Sequence, residues 1–379
     1  MLAIFTNVQV KFMNVELKVN PLDKWVKMKS KPLIIAGPYS AETPEQLLAT
    51  AKGLQNQKVD VLRAGIWKPR TRPGAFEGAG EEGLKWLADV KKETGMPIGT
   101  EVAYPEHIEL ALKYGVDVLW IGARTTVSPF AIQEMADTLQ GVKNVAVLVK
   151  NPTHPELGLW IGAFERLNRA GIENLGGIHR GFSTYDKTKY RNQPIWTIPI
   201  ELRRIAPQIP IICDPSHIAG NRELLFEISQ KAMDLNFDGL MIETHIDPDK
   251  AWSDASQQVT PARLMEMLTD LKIRQDSSSD QVFNDQLDEL RRKIDNIDRE
   301  IMETIAARMA VVEKIGEYKK ENNVTTYQVK RWDDIMKTRT EQAKKLNLNP
   351  EFIVDVYKMI HEESIRKQTE IMKAIETKA

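Results

Sequence analysis

Residues 116–124 read VDVLWIGAR, an apolar and β-branched run that closes with a glycine and a cation, Arg124. Three other apolar runs end at or just after a cation: VDVLRAG at 59–65 with Arg63, NVAVLVK at 144–150 with Lys150, and NLGGIHR at 174–180 with Arg180. Apolar runs of this length are typical of buried parallel strands. A charge on such a run is costly unless it lies at an end that opens onto a site. We therefore expect four cations at the ends of four buried strands.

Strand-like and helical runs alternate from Pro32 to about Ile273. Eight strands are predicted, near residues 33–36, 59–64, 97–102, 116–121, 144–149, 174–179, 209–214 and 239–244. Eight strand–helix units over about 240 residues favour an α/β fold of the (β/α)8 TIM barrel type over an open doubly wound sheet. No G-x-G-x-x-G follows the first strand, which argues against a dinucleotide fold. Because all strand C-termini of such a barrel open on one face, the cations should meet on one rim.

These cations predict a site for phosphorylated substrates. Arg124, Lys150 and Arg180 end three consecutive strands, and several cations together are needed to strip water from a phosphate dianion. One such arginine alone would be interpreted as part of a structural ion pair. The second strand and the WKPRT segment after it add room for a carboxylate and a second phosphate, through Arg63, Lys68, Arg70 and Thr71. Two anionic subsites imply two phosphorylated substrates.

The neighbouring sector of the rim carries metal-type side chains. IPIICDPSH at 209–217 supplies Asp214 and His217, and GLMIETH at 239–245 supplies Glu243 and His245. With Asp254, the imidazole of His217 and the carboxylate of Glu243 suit Mn²⁺, Fe²⁺, Co²⁺ or Zn²⁺. Such an ion would polarise an aldehyde oxygen as a Lewis acid. For each residue alone, a hydrogen-bonded core histidine or a surface acid is the simpler interpretation, and the cations next to them favour a site.

Composition excludes several classes of function. Of 379 residues, 42% are hydrophobic and 28% charged, which is typical of a soluble globular protein of about two domains. The formal net charge of −1 predicts no attraction to nucleic acid or to a membrane surface. Cys213 is the only cysteine, so we expect no internal disulfide and a reducing cytoplasm. The start of the sequence does not resemble a signal peptide, and no apolar run reaches the roughly 18 residues of a membrane helix.

The sequence divides into four segments. Residues 1–30 form a short extension with an edge strand suggested by alternating Val8, Val10 and Phe12, and residues 31–273 form the barrel. The polar, serine-rich residues 274–282 are predicted to be a linker. Residues 283–379 contain no strand-like run, and we predict three helices there: one to about residue 320, one over about 328–346, and one from about 351.

Arg308 is anomalous in the first of these helices. It lies in the seam 287, 294, 301, 308, 315, where every other residue is Leu or Ile. A buried cation must be paired, so Arg308 is either a specificity device of a coiled coil or a ligand-binding residue. Lys319 lies on the same face about three turns later, whereas Arg291 lies about 25 Å from Arg308 along the helix. Arg291 and Arg308 of one chain cannot clamp one small ligand. If both bind it, one of them must come from a second chain, which predicts a homodimer through this segment.

Several barrel motifs carry a resemblance to a known family. IIAGPYSAET, RAGIWKPRTRPGAFEGAGEEGLKWL, IGARTT, LVKNP, GGIHRGFS, CDPSHIAGNRE and IETHIDPDKAWSDASQQVTP together resemble 3-deoxy-D-arabino-heptulosonate 7-phosphate synthase of type I-beta, over about residues 31–272. This resemblance implies condensation of phosphoenolpyruvate with erythrose 4-phosphate. It assigns to phosphoenolpyruvate Arg63, Lys68, Arg124, Lys150 and Arg180. It assigns Arg70 and Thr71 to erythrose 4-phosphate, and to the metal His217, Glu243 and Asp254.

Tyr39 departs from that family. The family motif G-P-C-S supplies a cysteine as the fourth metal ligand, and this chain reads Gly37-Pro38-Tyr39-Ser40. A phenol is bulkier than a thiol and binds divalent metals poorly unless deprotonated, with a reference pKa near 10. We therefore expect weak metal binding and impaired synthase activity if Tyr39 occupies the ligand position.

The tail carries a second resemblance. LDELRRKIDNIDREIMETIAARMAVVEKIGEYKK at 287–320 resembles the first helix of the all-helical chorismate mutases, over about residues 283–375. The resemblance assigns to chorismate Arg291, Arg308, Lys319, Arg331, Ser364 and Gln368. Gln328 stands where an aspartate is common, and Trp332 where a glutamate often contacts the substrate hydroxyl. Such a mutase needs no cofactor, because a cationic clamp that favours the compact transition state suffices.

We therefore predict a bifunctional enzyme of the shikimate pathway, with small-molecule substrates. Two alternatives remain open at this point: a related 3-deoxy-manno-octulosonate 8-phosphate synthase, and a catalytically weak barrel that serves as a regulatory partner of the mutase. We also hypothesise that chorismate or prephenate, bound at Arg308 and Lys319, regulates the barrel allosterically.

Overall fold

The chain forms two compact units, residues 1–276 and residues 277–379, in a computed structural model. The structure describes residues 15–26, 28–29, 31–68, 74, 76–185, 188–275 and 277–373. The edge strand predicted at 8–12 and two predicted site residues, Arg70 and Thr71, lie outside these ranges.

The first unit is a closed barrel of eight parallel strands in sequence order, so the TIM-barrel prediction is confirmed. The strands are β1 (Leu33–Gly37), β2 (Val61–Arg63), β3 (Ile98–Val102), β4 (Val118–Ile121), β5 (Ala146–Lys150), β6 (Leu175–His179), β7 (Ile211–Cys213) and β8 (Gly239–Glu243). Pairing of Leu33 with Gly239 and of Gly37 with Glu243 closes β8 onto β1. Almost every strand residue is buried, as expected when helices cover the outer face of a parallel barrel.

Helices surround the barrel. They are α1 (Pro44–Gln55), α2 (Gly80–Thr94), α3 (Pro105–Lys113), α4 (Ala123–Thr126), α5 (Pro129–Thr138), α6 (Leu157–Arg169), α7 (Thr197–Ile205), α8 (Pro215–Ala219), α9 (Leu225–Asp234) and α10 (Pro261–Asp270). The starts of four of them have a clear local cause. The caps are residues that accept a backbone N–H and are each followed by a proline at the first helical position: Thr43, Ser128, Asp214 and Thr260.

The barrel has two apolar layers. Side chains such as Ile35, Trp120 and Ile212 fill the interior, whereas Cys213 and its outward-facing neighbours pack against the helices. Since side chains alternate along a strand, Asp214 next to Cys213 is directed towards the interior. At the N-terminal ends of the strands, Leu22, Trp25, Val26 and Met28 pack on the interior side chains and cover them. The barrel is therefore closed at the end opposite its strand C-termini.

The second unit contains the three predicted helices, α11 (Gln281–Glu321), α12 (Val329–Lys345) and α13 (Pro350–Lys373). Asp280 caps α11 by accepting the backbone N–H groups of Val282 and Phe283. The C-terminal half of α11 packs against α13, where Gly316 lies close to Gln368. In the part of the chain that the structure describes, no helix is long and apolar enough to cross a membrane.

The N-terminal half of α11 presents apolar side chains to solvent within a single chain. They are Leu290, Ile294, Ile297, Ile301 and Met302, each at least half exposed. The seam predicted from the sequence is thus on one helix face, but the three-helix unit of one chain does not cover its first half.

Candidate active sites

A cavity of about 350 Å³ opens at the C-terminal ends of the barrel strands. Four of the predicted cations line it: Lys68, Arg124, Lys150 and Arg180. His217 and Tyr39 form part of the same wall. The strand ends therefore bring together the residues that the sequence places on one rim.

Arg63 lies fully buried beneath this cavity. Its Nη1 is 3.5 Å from Glu243 Oε1, and its guanidinium carbon lies 5.0 Å from the centre of the Trp120 ring. Both Nε and Nη1 are buried without a hydrogen-bond partner among the described residues. Arg63 thus contributes positive charge from below, and two of its donors are unused.

Lys150 and His217 converge on the buried carboxylate of Asp214. Lys150 Nζ donates to Asp214 Oδ2 at 3.0 Å, and His217 Nδ1 lies 2.8 Å from the same oxygen. Asp214 Oδ1 accepts the backbone N–H of His217, which caps α8. Burial alone would raise the pKa of Asp214, but His217 and Lys150 hold it well below its usual value. Asp214 is therefore an anion that fixes both side chains.

Lys68 packs against Tyr39. Its Nζ lies 3.6 Å from the centre of the phenol ring, which is cation–π geometry. Burial lowers the pKa of Lys68 to about 7, although nearby Glu101 opposes the shift. The lysine also needs Gly65, because a Cβ at that position would lie 1.9 Å from Nζ. Lys68 is thus a buried cation that loses its charge more easily than an ordinary lysine.

Glu101 on β3 is a site residue that the sequence reasoning missed. Its carboxylate lines the cavity and accepts the indole N–H of Trp120 at 2.9 Å. Burial would raise the pKa of Glu101, but Lys150 and Lys68 lower it overall. A charge inside the buried strand IGTEV was the available signal. Glu101 therefore places one negative charge among the cations.

Arg180 and Arg124 reach the cavity in different ways. Arg180 Nη1 donates to Asn192 Oδ1 at 2.8 Å, and its backbone N–H donates to Asn151 Oδ1 at 2.7 Å. Burial lowers the pKa of Arg180 to about 10, opposed by Asp214, so it stays charged at neutral pH. Arg124 follows Gly122 on the short helix α4, and its side chain is exposed at the mouth.

The predicted metal ligands do not come together as one group. His217 Nδ1 lies 3.4 Å from Glu243 Oε1, but Asp254 Oδ1 accepts a 2.7 Å hydrogen bond from Arg191 Nη1. The ring of Tyr39 packs under Lys68 Nζ, and its centre lies 6.0 Å from that of the His217 ring. Among the described residues, no set of three or more His, Cys, Asp and Glu side chains could hold a metal ion. The sequence did not predict the competing role of Arg191, which pairs with Asp254 across 63 positions.

A second cavity of about 500 Å³ adjoins the first. Lys68, Glu101 and Arg124 line both cavities. The far wall of the second cavity is aromatic, because Trp67 stacks on His107 at 3.9 Å between ring centres. The mouth of the barrel therefore has two adjacent compartments that share cations.

In the helical unit, Arg308 and Ser364 form the centre of a second cluster. Arg308 Nη1 donates to Ser364 Oγ at 2.8 Å, and Ser364 Oγ donates to the carbonyl of Ile360. Gln368 is buried one turn further along α13, and its Oε1 has no hydrogen-bond partner among the described residues. Lys319 Nζ donates to the carbonyl of Thr326 at 2.7 Å. Arg308 and Ser364 thus meet, and Gln368, whose Nε2 donates to the carbonyl of Ser364, offers a free acceptor beside them.

The remaining predicted residues of the tail lie apart from this cluster or at its edge. Arg291 is exposed and lies 3.4 Å from Asp288 in the preceding turn. Gln328 and Arg331 are exposed at the start of α12. Trp332 stacks on His361, a residue that the sequence reasoning did not select.

Two family models match the chain in successive segments. Residues 18–279 match the model described as the DAHP synthetase I family. Residues 290–369 match the model described as chorismate mutase type II.

Individual relatives match somewhat more than 60% of the chain. Phospho-2-dehydro-3-deoxyheptonate aldolase of Thermotoga maritima is 33% identical over 239 residues, or 63% of this chain and 68% of that protein. 2-Dehydro-3-deoxyphosphooctonate aldolase of Cupriavidus taiwanensis is 28% identical over 263 residues, or 63% and 87%. The crystal structure of the Thermotoga maritima DAHP synthase has a TM-score of 0.57 at 31% identity and covers 62% of this chain and 67% of that chain. A truncated form of the synthase from the same organism has a TM-score of 0.55 at 28% identity, with coverage of 62% and 84%.

Proposed function

Because this chain belongs to the DAHP synthetase I family and also carries a chorismate mutase type II domain, it is a two-domain enzyme with small-molecule substrates, and we propose two reactions for it. The barrel condenses phosphoenolpyruvate with erythrose 4-phosphate. The helical unit rearranges chorismate to prephenate. Both reactions belong to aromatic biosynthesis, and we expect them in the cytoplasm.

The cluster of cations around the 350 Å³ cavity carries the proposal for the barrel. Arg124, Lys150 and Arg180 face one space from three successive strand ends, which suits a phosphate dianion. Arg63 and Lys68 lie on the side of β2 and suit the carboxylate of the same substrate. Asp214, Glu243 and Glu101 offset only part of the positive charge of these five cations, so binding phosphoenolpyruvate would relieve the remaining repulsion.

The second compartment is proposed to hold the aldose phosphate. It shares Lys68 and Arg124 with the first, so the two substrates would meet beside these cations. Arg70 and Thr71 are proposed to bind the phosphate of erythrose 4-phosphate on the resemblance alone. A 3-deoxy-manno-octulosonate 8-phosphate synthase is the runner-up, and the lower identity of its relatives weighs against it.

The barrel chemistry raises the question of which residues would bind a divalent metal. DAHP synthases generally depend on a divalent metal. His217, Glu243 and Asp254, with Tyr39 in the fourth position, are the candidates, but as arranged they do not fit an ion because Arg191 engages Asp254. We therefore assign no step to a metal. The same observations favour the second candidate function, a weak synthase whose barrel serves the mutase as a regulatory partner.

One assay separates these readings. Loss of phosphoenolpyruvate is followed with erythrose 4-phosphate or arabinose 5-phosphate as acceptor, with and without added Mn²⁺, and bound metal is measured in parallel by mass spectrometry. Turnover with erythrose 4-phosphate supports the synthase. Turnover with arabinose 5-phosphate only favours the runner-up, and no turnover with either favours the regulatory barrel.

Arg308 carries the proposal for the mutase. It is a half-buried cation that donates to Ser364 Oγ, and it forms no ion pair with a carboxylate among the described residues. This leaves it free to bind a dicarboxylate substrate. Arg331 and Gln328 are proposed to complete the site from α12. The assignment is tested by measuring the conversion of chorismate to prephenate through the loss of chorismate absorbance.

We also propose that the mutase is a homodimer. Arg291 lies 17 positions before Arg308 on the single helix α11, about 25 Å away, so it would serve the site of the other chain. The exposed apolar residues between them, such as Ile297 and Ile301, would be buried by a second copy. Sedimentation of the full chain tests this: a monomer with full mutase activity would exclude it.

A further inference from the structure

His361 lies on the same face of α13 as two residues of the proposed mutase site. It precedes Ser364 by three positions and Gln368 by seven, which places the three side chains in one row. Ser364 and Gln368 are buried, and His361 is half-buried at the end of the row. Arg308 faces this row, because its Nη1 donates to Ser364 Oγ.

Two aromatic rings hold the imidazole in place. Trp332 is stacked on it with 4.0 Å between ring centres and 17° between planes. The ring of Tyr327 lies 5.8 Å away at a tilt. The imidazole Nε2 is buried and has no hydrogen-bond partner among the described residues. A polar atom in this position is costly unless a ligand satisfies it.

The charges around His361 indicate what that ligand group is. Burial lowers the pKa of His361, and the nearby cations Arg308 and Lys319 lower it further, whereas Glu362 opposes the shift. The ring is therefore neutral at neutral pH. The cations already suit carboxylates, and a neutral imidazole nitrogen can donate to or accept from a hydroxyl group.

We propose that His361 is a specificity-determining residue of the mutase, and that its Nε2 hydrogen-bonds the ring hydroxyl of the substrate. Stacking on Trp332 fixes the ring plane, so that the nitrogen is already oriented before the substrate arrives. This assignment rests on the proposed mutase function. It also explains how a site with an indole at position 332, which cannot accept a hydrogen bond, still recognises a hydroxyl.

The test compares chorismate with its analogue that lacks the ring hydroxyl. His361→Phe keeps an aromatic ring against Trp332 and removes the nitrogen, whereas His361→Gln keeps a polar group near the position of Nε2. We expect His361→Phe to lower kcat/KM for chorismate about tenfold, as for one lost hydrogen bond, and to leave the value for the analogue unchanged. His361→Gln should retain part of the preference for chorismate.

An equal loss for both substrates would mean that His361 only supports packing, and no loss would mean that it does not touch the substrate. Either result overturns the assignment of His361 and leaves the mutase function standing. A wild-type protein that turns over neither substrate overturns both. His361→Leu replaces the Phe variant if that variant does not fold, as judged by its helical circular dichroism.

Discussion

Replacing Arg308 by alanine should abolish most of the mutase activity while the protein stays folded. Among the residues that the structure describes, the side chain makes one hydrogen bond, to Ser364 Oγ at 2.8 Å. Ser364 keeps its own donation to Ile360 after the change. Arg308 is half-buried, so water can replace part of what is lost. The free energy of unfolding should therefore fall by about 1 kcal/mol, or about 4–8 °C in Tm for a domain of this size.

The effect on catalysis should be much larger. A donor directed at charge that develops in the transition state is worth roughly 10²–10³ in kcat, or about 3–4 kcal/mol. Arg308→Ala should thus lower kcat/KM for chorismate by at least about 100-fold. Thermal unfolding and chorismate turnover are measured on the same preparation, so that the folded fraction is known.

Lys320→Ala provides a matched control. Lys320 is also a half-buried cation on α11, but its Nζ donates to the carbonyls of Ile371 and Met372 and not to the cluster. It should cost a similar amount of stability and leave turnover unchanged. Activity of Arg308→Ala that falls only in proportion to its unfolded fraction would refute the reasoning.

Three further predictions follow from the same geometry. Tyr39→Cys removes the phenol ring from Lys68 and supplies a thiol next to His217. The amount of bound Mn²⁺ or Zn²⁺, measured by mass spectrometry, and the synthase rate should therefore both rise. Tight metal binding by the wild-type protein would contradict this. Lys150→Met leaves the carboxylate of Asp214 buried without one of its cations. The free energy of unfolding, measured by denaturant titration, should fall by about 3 kcal/mol, and the affinity for phosphoenolpyruvate should fall too. An unchanged unfolding midpoint would argue against the buried pair. Ile297→Glu changes a side chain that is 54% exposed in the single chain, so each chain should keep its helical circular dichroism while sedimentation shows monomers; a stable dimer would place the interface elsewhere.

The sequence predicted what depends on short-range pattern. Apolar runs gave the strands, and the charge at the end of each run placed Lys150 and Arg180 at the mouth, because a parallel barrel directs all strand C-termini to one face. The seven-residue spacing of apolar residues predicted α11, because residues seven positions apart lie on the same face of a helix.

What the sequence could not predict depends on pairs that are distant in the chain. Arg191 and Asp254 lie in loops after different strands, and nothing in either local pattern shows that they meet. Glu101 was overlooked because its strand was assigned by its apolar residues. His361 was overlooked because the resemblance assigns no role to that position, whereas the stacking on Trp332 is visible only in three dimensions.

Leu22, Trp25, Val26 and Met28 seal the end of the barrel opposite the substrate cavities, and this separates two demands on the molecule. The substrate cavities lie at the C-terminal ends of the strands, and these apolar side chains close the N-terminal ends. A chain cut at residue 31, where the pattern of strands begins, would expose Leu33, Val61 and Val118 at that end of the barrel to water. Substitutions at these residues can therefore change the stability of the barrel without any change to the residues that line the substrate cavity.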